Sequence, residues 1–477
     1  MRDLYVAFFD ARKHKASMSY VVQFEKHLKR NLEDLCDALM SRTYTAQPSK
    51  CFIIDYPKKR EVFAAKFVDR VVHHLYYNYT NQLFERTFIQ DTYSCIKGRG
   101  THYGIERLDG HIRKESQNYQ VPCHVLKLDI RGYFMHINRY RLLEIATRSL
   151  LKMSSHRCGG AHGTAGTWAK TPRKCTTWAD VIDMDFVLWL TREIILLDPK
   201  INCEIVGSWA CWLGLDRSKS LFFTDDGCGL PIGNLTSQLF SNVYLNIFDQ
   251  YMKRELHCKH YGRYVDDAYI VSPDKDWMLS LVPKIRHFLK AELGLDLHMG
   301  KLHVSDVAHG VEFLGAYIKP YRIYVSNQSL RRVRQHLNEI DFTDPGKVFR
   351  TVNSYLGMMV HYASFNLRNE LFVQTAFLEI APYDEGMTKM KITTAPQSGA
   401  ALDTTTAPQS GVALNTKLLN TFKDNEQDLW NSIRLRTCQT GCEPHRHRLL
   451  FRSSSRRRSQ DLARGVFLQE AVPPAEY

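Results

Sequence analysis

The most constraining feature of the sequence is a pair of adjacent aspartates, Asp266 and Asp267, within Tyr261-Gly-Arg-Tyr-Val-Asp-Asp-Ala-Tyr-Ile-Val271. Aromatic and β-branched residues flank the pair on both sides, which predicts a β-hairpin with the aspartates at its tip. In a regular strand the two side chains would point to opposite faces, whereas a turn can direct both into one cleft. Adjacent carboxylates repel each other unless cations lie beside them, so the pair is either a solvated turn or part of a cation site.

A second acidic motif favours the cation site. The segment Val125-Leu-Lys-Leu-Asp-Ile-Arg-Gly-Tyr-Phe134 predicts a short apolar strand that ends at Asp129. A carboxylate at a strand end and a carboxylate pair on a neighbouring hairpin can hold two divalent metals about 3.5–4 Å apart, the arrangement that promotes in-line phosphoryl displacement. Mg²⁺ suits such a site because it prefers few carboxylates plus water and substrate phosphates. The alternative for Asp129 alone is a helix N-cap.

A third motif lies between the two acidic segments. Gly229-Leu-Pro-Ile-Gly-Asn-Leu-Thr-Ser-Gln238 is a Gly/Pro turn that leads into the apolar-periodic run Leu239–Phe248. We expect a helix here, with its first backbone N–H groups accessible to a base or a phosphate. A loop-to-helix junction is common in proteins and by itself defines no function.

In the order strand-Asp, Gly/Pro loop with helix, and Tyr-x-Asp-Asp, the three motifs resemble the palm of a reverse transcriptase. Other segments agree: Gly310–Gly315 matches the Phe-Leu-Gly hairpin after the palm, while Lys59–Lys66, Asp69–His73 and Tyr93–Gly100 are similar to the fingers. The resemblance covers roughly residues 50–375. It implies a mixed α/β right-hand polymerase that adds deoxynucleotides (dNTPs) to a 3′-hydroxyl on an RNA template.

Within this class the chain looks most like the enzymes of diversity-generating retroelements. Most reverse transcriptases carry Gln-Gly and Ser-Pro where this chain has Ile232-Gly233 and Ser237-Gln238. Ile232 offers the nascent base pair an apolar wall without an amide, and a site with fewer polar contacts discriminates less against mismatches. The resemblance implies error-prone copying concentrated at template adenines, as in mutagenic retrohoming. The alternative is that Ile232 only packs the palm.

The resemblance also assigns roles to individual residues. Asp129, Asp266 and Asp267 are the expected catalytic residues and, with Ile130, the expected ligands of two Mg²⁺ ions, for which Mn²⁺ can substitute. Lys301 is a candidate general acid for the departing pyrophosphate, or else an ordinary exposed lysine.

Nucleotide binding is expected from a second set of residues: Arg60, Lys66, Phe134, Ile232 and Gly233. Phe134 would lie beneath the sugar, where its ring would clash with a 2′-hydroxyl, and either Phe134 or Tyr133 then belongs to the core. Arg60 and Lys66 have the same parity on a predicted strand, so both could face a triphosphate. The alternative for Lys66 is a solvated basic strand.

Composition agrees with a nucleic-acid partner. The 477 residues carry 64 Lys+Arg and 50 Asp+Glu, a formal net charge of +14, which favours polyanions and salt-sensitive binding. No apolar run approaches the roughly 18 residues of a membrane span and no signal peptide is evident, so we expect a cytoplasmic protein, bacterial or phage-encoded. The 12 cysteines show no repeated Cys-x-x-Cys pair, which indicates reduced thiols. Four C-terminal side chains are zinc-ligand types in an Arg-rich setting that argues against zinc: Cys438, Cys442, His445 and His447.

Pattern and resemblance together divide the chain into six parts. They are 1–48, an N-terminal helical segment; 49–120, fingers; 121–325, palm with a surface insertion at about 154–228; 326–382, helical thumb; 383–417, low-complexity linker; and 418–477, basic tail. The linker contains the repeat Thr-Ala-Pro-Gln-Ser-Gly at 394–399 and 406–411, which is too polar to offset the entropy of ordering. The nine arginines between 434 and 464 could hold template RNA or form a solvated tail.

The expected partners follow from the resemblance: template RNA, the cDNA/RNA hybrid, dNTPs and an accessory variability protein that forms a small basic oligomer. One alternative is a retron-like or phage-defence reverse transcriptase. Another is a non-catalytic nucleic-acid-binding palm, against which the three intact carboxylates count.

Overall fold

A computed structural model of the chain describes residues 1–55, 58–156, 177–373, 375–378 and 380–391. The Thr-Ala-Pro-Gln-Ser-Gly repeat, the cysteine and histidine residues weighed for zinc, and the basic tail lie outside the described residues. Described helices are α1 (Arg2–Arg12), α2 (Ser19–Glu25), α3 (Leu28–Met40), α4 (Phe67–Glu85), α5 (Thr101–Glu115), α6 (Tyr133–His136), α7 (Arg139–Ser154), α8 (Met184–Leu196), α9 (Leu235–Arg254), α10 (Lys275–Leu293), α11 (Asn327–Asn338), α12 (Pro345–Met359), α13 (Phe365–Phe372) and α14 (Thr375–Leu378).

Ten strands occur in the described part of the chain and confirm the mixed α/β class. They are β1 (Ser49–Ile54), β2 (Arg60–Ala64), β3 (His124–Leu128), β4 (Cys203–Ile205), β5 (Tyr261–Tyr264), β6 (Asp267–Ser272), β7 (His303–Asp306), β8 (Val311–Phe313), β9 (Ala316–Lys319) and β10 (Arg322–Val325). They form three sheets, ordered β5-β6-β3-β7, β2-β1-β4 and β10-β9-β8.

The four-stranded antiparallel sheet is buried on both faces. Alternate residues of its strands point to opposite sides, so Leu126, Leu128 and Ile270 join the large core that includes α9 and α10. Val125 and Val271, which are cross-strand partners, face a second core with α5. This double burial explains why apolar residues on β3 and β6 occur at consecutive positions, as in Val125-Leu126 and Ile270-Val271, instead of strictly alternating with polar residues.

The prediction that residues 154–228 form a surface insertion is wrong for the second half of this range. The helix α8 packs against α7 with Leu190 and Ile195 fully buried, and β4 pairs in parallel with β1 in register Cys51↔Ile205. Residues 157–176, the most Gly- and Thr-rich part, lie outside the described residues. The error arose because the absence of periodicity near 154–177 was extended to a segment that has its own apolar helix.

The other predicted elements are present with small shifts. The predicted N-terminal helical segment, 1–48, contains three helices, α1, α2 and α3. The Phe-Leu-Gly segment forms the β8–β9 hairpin, and α11 and α12 fill the predicted thumb. The packed part of the chain continues beyond residue 383, where the low-complexity linker was predicted to begin. Met387 and Met390 are buried in the apolar cluster around α12 and α13. None of the described helices is both long and apolar enough to cross a membrane.

Candidate active site

The tip of the β5–β6 hairpin carries the aspartate pair, as predicted. Tyr264 pairs with Asp267, so Val265 and Asp266 form a two-residue turn. Val265 has φ +55°, a left-handed conformation that a β-branched residue rarely adopts without support from its surroundings. Strand β3 pairs with β6 up to Leu128↔Ala268, which brings Asp129, the next residue, beside Asp267. Three carboxylate-bearing residues from two chain segments therefore lie at the same edge of the sheet.

A buried ion pair holds this strained turn. Arg263, with 0% of its side chain exposed, contacts both carboxylate oxygens of Asp249 at 2.8 and 2.6 Å. The same guanidinium donates from Nη1 to the carbonyl oxygen of Val265 at 2.7 Å. On the other side, the backbone amide of Val265 donates to Ser94 Oγ at 3.2 Å. Both polar backbone groups of Val265 thus have partners fixed by the core, which compensates the cost of the left-handed φ.

The carboxylates destabilise one another electrostatically. Burial and, after it, the negative charges of Asp267 and Asp129 together raise the pKa of Asp266 to about 7, while the positive charge of Lys301 opposes the shift. Burial, followed by the charge of Asp129, also raises the pKa of Asp267. Lys301 Nζ contacts the two carboxylate oxygens of Asp129 at 2.9 and 3.0 Å. The lysine therefore supplies one positive charge to a site that carries three carboxylates.

The donor set fits the magnesium ions implied by the resemblance. Carboxylate oxygens are the ligands that Mg²⁺ prefers, and their mutual repulsion is relieved by a divalent cation. Ile130 can offer only its main-chain carbonyl, and the bridge between Ile130 and Leu297 uses the Asp129 carbonyl and the Arg131 amide instead. In the described residues no three His, Cys, Asp or Glu side chains converge as a ready-made ion site, and Asp129 is engaged by Lys301.

An open cleft extends from Asp266 towards the β1–β2 hairpin. Its cavity volume is ≈ 460 Å³, within the range of small-molecule sites. The cleft is lined by predicted site residues and by others, including Lys58, Lys59, Arg60, Phe134, Asp216, Lys219, Ile232, Asp266 and Lys301. Lys58, Lys59 and Arg60 bring positive charge to the β2 side of the cleft, which suits a triphosphate.

The structure shows which of the two neighbouring aromatic residues, Tyr133 or Phe134, is buried in the core and which lines the cleft. Tyr133 is 2% exposed, and its hydroxyl donates to the carbonyl oxygen of Ser241 at 2.5 Å, so most of its side chain belongs to the core. Phe134 is partly buried and lines the cleft. The left-handed Gly132 (φ +55°) turns the chain sharply between Asp129 and this short helix.

The Ile232-Gly233 loop is attached to the strand that carries Arg60. The amide of Phe63 donates to the carbonyl of Ile232 at 2.9 Å, and the amide of Ala65 donates to Asn234 Oδ1 at 3.3 Å. A Cβ at Gly233 (φ +120°) would lie 2.9 Å from Val62 and 3.2 Å from the Phe63 carbonyl oxygen. Glycine is therefore required here both by its backbone conformation and by the close approach of β2, and the contact directs Ile232 into the cleft.

Two site predictions are wrong in detail. Lys66 lies beyond the end of β2 and forms an ion pair with Glu204 at 2.7 Å, whereas Lys58 and Lys59 line the cleft. The parity argument failed because the strand ends at Ala64. The start of α9 is also closed to a ligand, since Thr236 and Ser237 are buried.

Sequence reasoning missed the wall of the cleft opposite the hairpin. The buried Glu61 accepts hydrogen bonds from Trp212 Nε1 at 2.7 Å, Ser220 Oγ at 2.7 Å and the Leu221 amide at 2.6 Å. These bonds fasten residues 212–221 to β2, so that Asp216 and Lys219 line the cleft. A glutamate amid apolar strand residues was the available signal, because a buried charge needs several donors.

Comparisons with known proteins do not assign the chain to a family. No protein-family model matches the chain, and no curated protein sequence matches it. Solved structures similar to it include telomerase from Candida albicans in complex with the TWJ fragment of telomeric RNA (11% identity, 72% of this chain and 55% of that one, TM-score 0.40) and apo telomerase from Candida tropicalis (12%, 70% and 61%, TM-score 0.41). The chain thus spans little more than half the length of these proteins.

Proposed function

We propose that the protein is an RNA-directed DNA polymerase. The observation that carries the proposal is that Asp129, Asp266 and Asp267 lie at one sheet edge, where Asp266 lines a cleft that Lys58, Lys59 and Arg60 also line. Bound Mg²⁺ would supply the Lewis acid that activates the primer 3′-hydroxyl and stabilises the leaving oxygen. The order of the three motifs in the sequence, strand-Asp, Gly/Pro loop with helix and Tyr-x-Asp-Asp, adds support.

The side chains of the cleft take distinct roles in this proposal. Phe134 excludes a 2′-hydroxyl by its bulk, while Arg60 and Lys58 balance the triphosphate charge. Lys301, once released from Asp129, is within the same cleft and can donate a proton to pyrophosphate. Template RNA and a cDNA/RNA hybrid are the expected macromolecular partners.

Primer extension on an RNA template with Mg²⁺ tests the polymerase, using wild type and Asp266→Asn. We expect DNA from wild type alone, because the variant lacks a charged ligand at the hairpin tip. DNA from both proteins would assign the activity to a contaminant. No DNA from wild type, even with the accessory protein and native RNA added, would favour a palm that only binds nucleic acid.

We further propose that this polymerase is of the diversity-generating type and that its copying is error-prone at template adenines. The supporting observation is Ile232, which places an apolar side chain in the cleft through a loop docked on β2. We expect Ile232→Gln to lower the misincorporation frequency at template adenines about tenfold, the value of one well-placed hydrogen bond, while Ile232→Val leaves it unchanged. Sequencing of the cDNA measures both. Accurate wild-type cDNA would favour a retron-like enzyme instead.

A further inference from the structure

A second groove lies on the exposed face of the three-stranded sheet. One face of this sheet is apolar and packs into the core through Val311, Phe313 and Ile318. The opposite face presents two cross-strand pairs, Tyr317↔Tyr324 and Lys319↔Arg322. The groove runs between this face and the start of α13, where Phe365 and Arg368 complete its lining, and its cavity volume is ≈ 740 Å³. The residues that line it are different from those of the active-site cleft.

The aromatic side chains of the groove are held in place yet accessible. The ring of Tyr317 lies against Gly310, where an added Cβ would be 2.8 Å away, and its hydroxyl donates to the His309 carbonyl at 2.7 Å. Lys319 Nζ lies 5.7 Å from the centre of the same ring. Phe365 is 49% exposed although it is a large apolar residue at a helix start. Accessible aromatic rings beside cations, such as Phe365 with the Arg368 guanidinium 5.9 Å from its ring centre, are the surface on which unpaired bases stack.

Arg368 places a positively charged guanidinium in the lining of this groove, and one of its N–H groups lacks a hydrogen-bond acceptor among the described residues. The residue is only 6% exposed, and its Nη1 donates to the Met387 carbonyl at 2.6 Å. Its Nε is buried and has no hydrogen-bond acceptor among the described residues. Burial lowers the pKa of Arg368, while the nearby Asp384 opposes this shift. Asp384 accepts hydrogen bonds from the amides of Thr388 and Lys389, and no ion pair joins it to Arg368 among the described residues, so the guanidinium adds positive charge to the lining of the groove.

We propose that this groove binds single-stranded nucleic acid, with bases stacked on Tyr324 and Phe365 and phosphates held by Arg322 and Arg368. Charge complementarity and the exposed rings together select this ligand, because rings without cations would suit any apolar partner. A duplex does not fit the same chemistry, since its bases are already stacked on one another. The inference goes beyond the proposed polymerase reaction and is tested by binding, so inactivity of the polymerase leaves it intact.

Binding of a 5′-labelled oligo(U) RNA to the full chain, followed by fluorescence anisotropy at several salt concentrations, tests the proposal. The Asp266→Asn background removes any extension. We expect Phe365→Ala to weaken binding about tenfold through loss of one stacked base. Arg322→Gln should weaken it and lower the slope of log K against log salt by about 1.

Matched controls come from exposed residues of the same types outside the groove. Phe9 is 53% exposed on α1, and the Arg30 side chain is 84% exposed on α3. Phe9→Ala and Arg30→Gln should bind within about twofold of wild type. Wild-type affinity of Phe365→Ala would overturn the proposal, even if Arg322→Gln binds more weakly, because charge alone is not a stacking site.

Photo-crosslinking gives an independent readout. RNA that carries 5-iodouridine should form adducts with peptides that contain residues 316–325 or 362–368. Adducts confined to other peptides would overturn the proposal and leave the groove as a surface for a protein.

Discussion

Gly233 shows how strongly a single residue can constrain the cleft. Because a Cβ there would meet Val62 and the Phe63 carbonyl, Gly233→Ala must push the loop away from β2 and move Ile232. We expect at least a tenfold loss of primer extension with a cost of about 1–3 kcal/mol in the free energy of unfolding. Steady-state extension rates and urea denaturation measure the two effects. Gly110→Ala is the control, since an added Cβ there meets no atom within 4 Å; equal losses from both variants would contradict the argument.

Buried histidines make stability depend on pH. Burial lowers the pKa of His73 to about 4, with small contributions from His74 and Arg70. The unfolded chain, with a histidine pKa near 6.5, then binds a proton more readily than the folded chain. Stability that is fully present above pH 6.5 is therefore lost as the pH falls towards 4, by up to about 3 kcal/mol for this residue.

His73→Leu should remove this contribution. We expect the melting temperature of the variant to fall less than that of wild type between pH 6.5 and 4.5, as measured by differential scanning calorimetry. His309→Leu is the control, because the His309 side chain is 87% exposed. Parallel pH profiles for wild type and His73→Leu would show that the buried histidine does not set the acid limit.

At the scale of elements, the β5–β6 turn depends on a guanidinium from its own strand. A lysine at position 263 would keep the charge beside Asp249 but could not bridge Asp249 and the Val265 carbonyl with one planar fork. We expect Arg263→Lys to reduce the extension rate at least tenfold, while the Kd for primer–template stays near that of wild type.

A matched variant, Arg139→Lys, distinguishes loss of activity through a displaced β5–β6 turn from loss of activity through lower stability of the fold. Arg139 is also buried, and its fork contacts Asp198 at 2.7 Å and the Leu197 carbonyl at 2.9 Å. Arg139→Lys should lower the melting temperature about as much as Arg263→Lys, because each variant loses a buried guanidinium that contacts a carboxylate and a backbone carbonyl. Arg139→Lys should nevertheless retain primer-extension activity. If the two variants lose activity equally, Arg263 acts through stability alone.

The elements that the sequence predicted well are those whose signal is local. The hairpin at Asp266, the strand before Asp129 and the helix after Gly233 follow from alternation, periodicity and turn residues. The strand β4 could not be predicted, because its three residues gain their conformation from pairing with β1, some 150 residues earlier. Lys66 was misplaced for a similar reason: the end of β2 is set by its docking on the Ile232 loop, a contact between distant segments.

Across the whole molecule, positive charge is not concentrated in the C-terminal region. Residues 392–477 account for three of the fourteen formal charges, and the remaining eleven belong to residues 1–391. We therefore expect a chain truncated after residue 391 to keep its affinity for single-stranded RNA within about tenfold at 0.1 M salt. Anisotropy titrations of both proteins measure this. A loss of a hundredfold or more would assign RNA binding to the arginines between 434 and 464.

The hydrogen bonds of Glu61 have a mechanical consequence. Trp212, Ser220 and Leu221 all donate hydrogen bonds to this one carboxylate. Strand β2, which carries Arg60, and the cleft wall that carries Asp216 are therefore joined and would move as one unit. The Ile232 loop is bound to the same strand. A rotation of β2 would therefore move three sides of the cleft in concert, while the carboxylates at the hairpin tip remain anchored to the core through Asp249. Such a rotation would open or close the cleft by moving these three sides relative to the fixed hairpin tip.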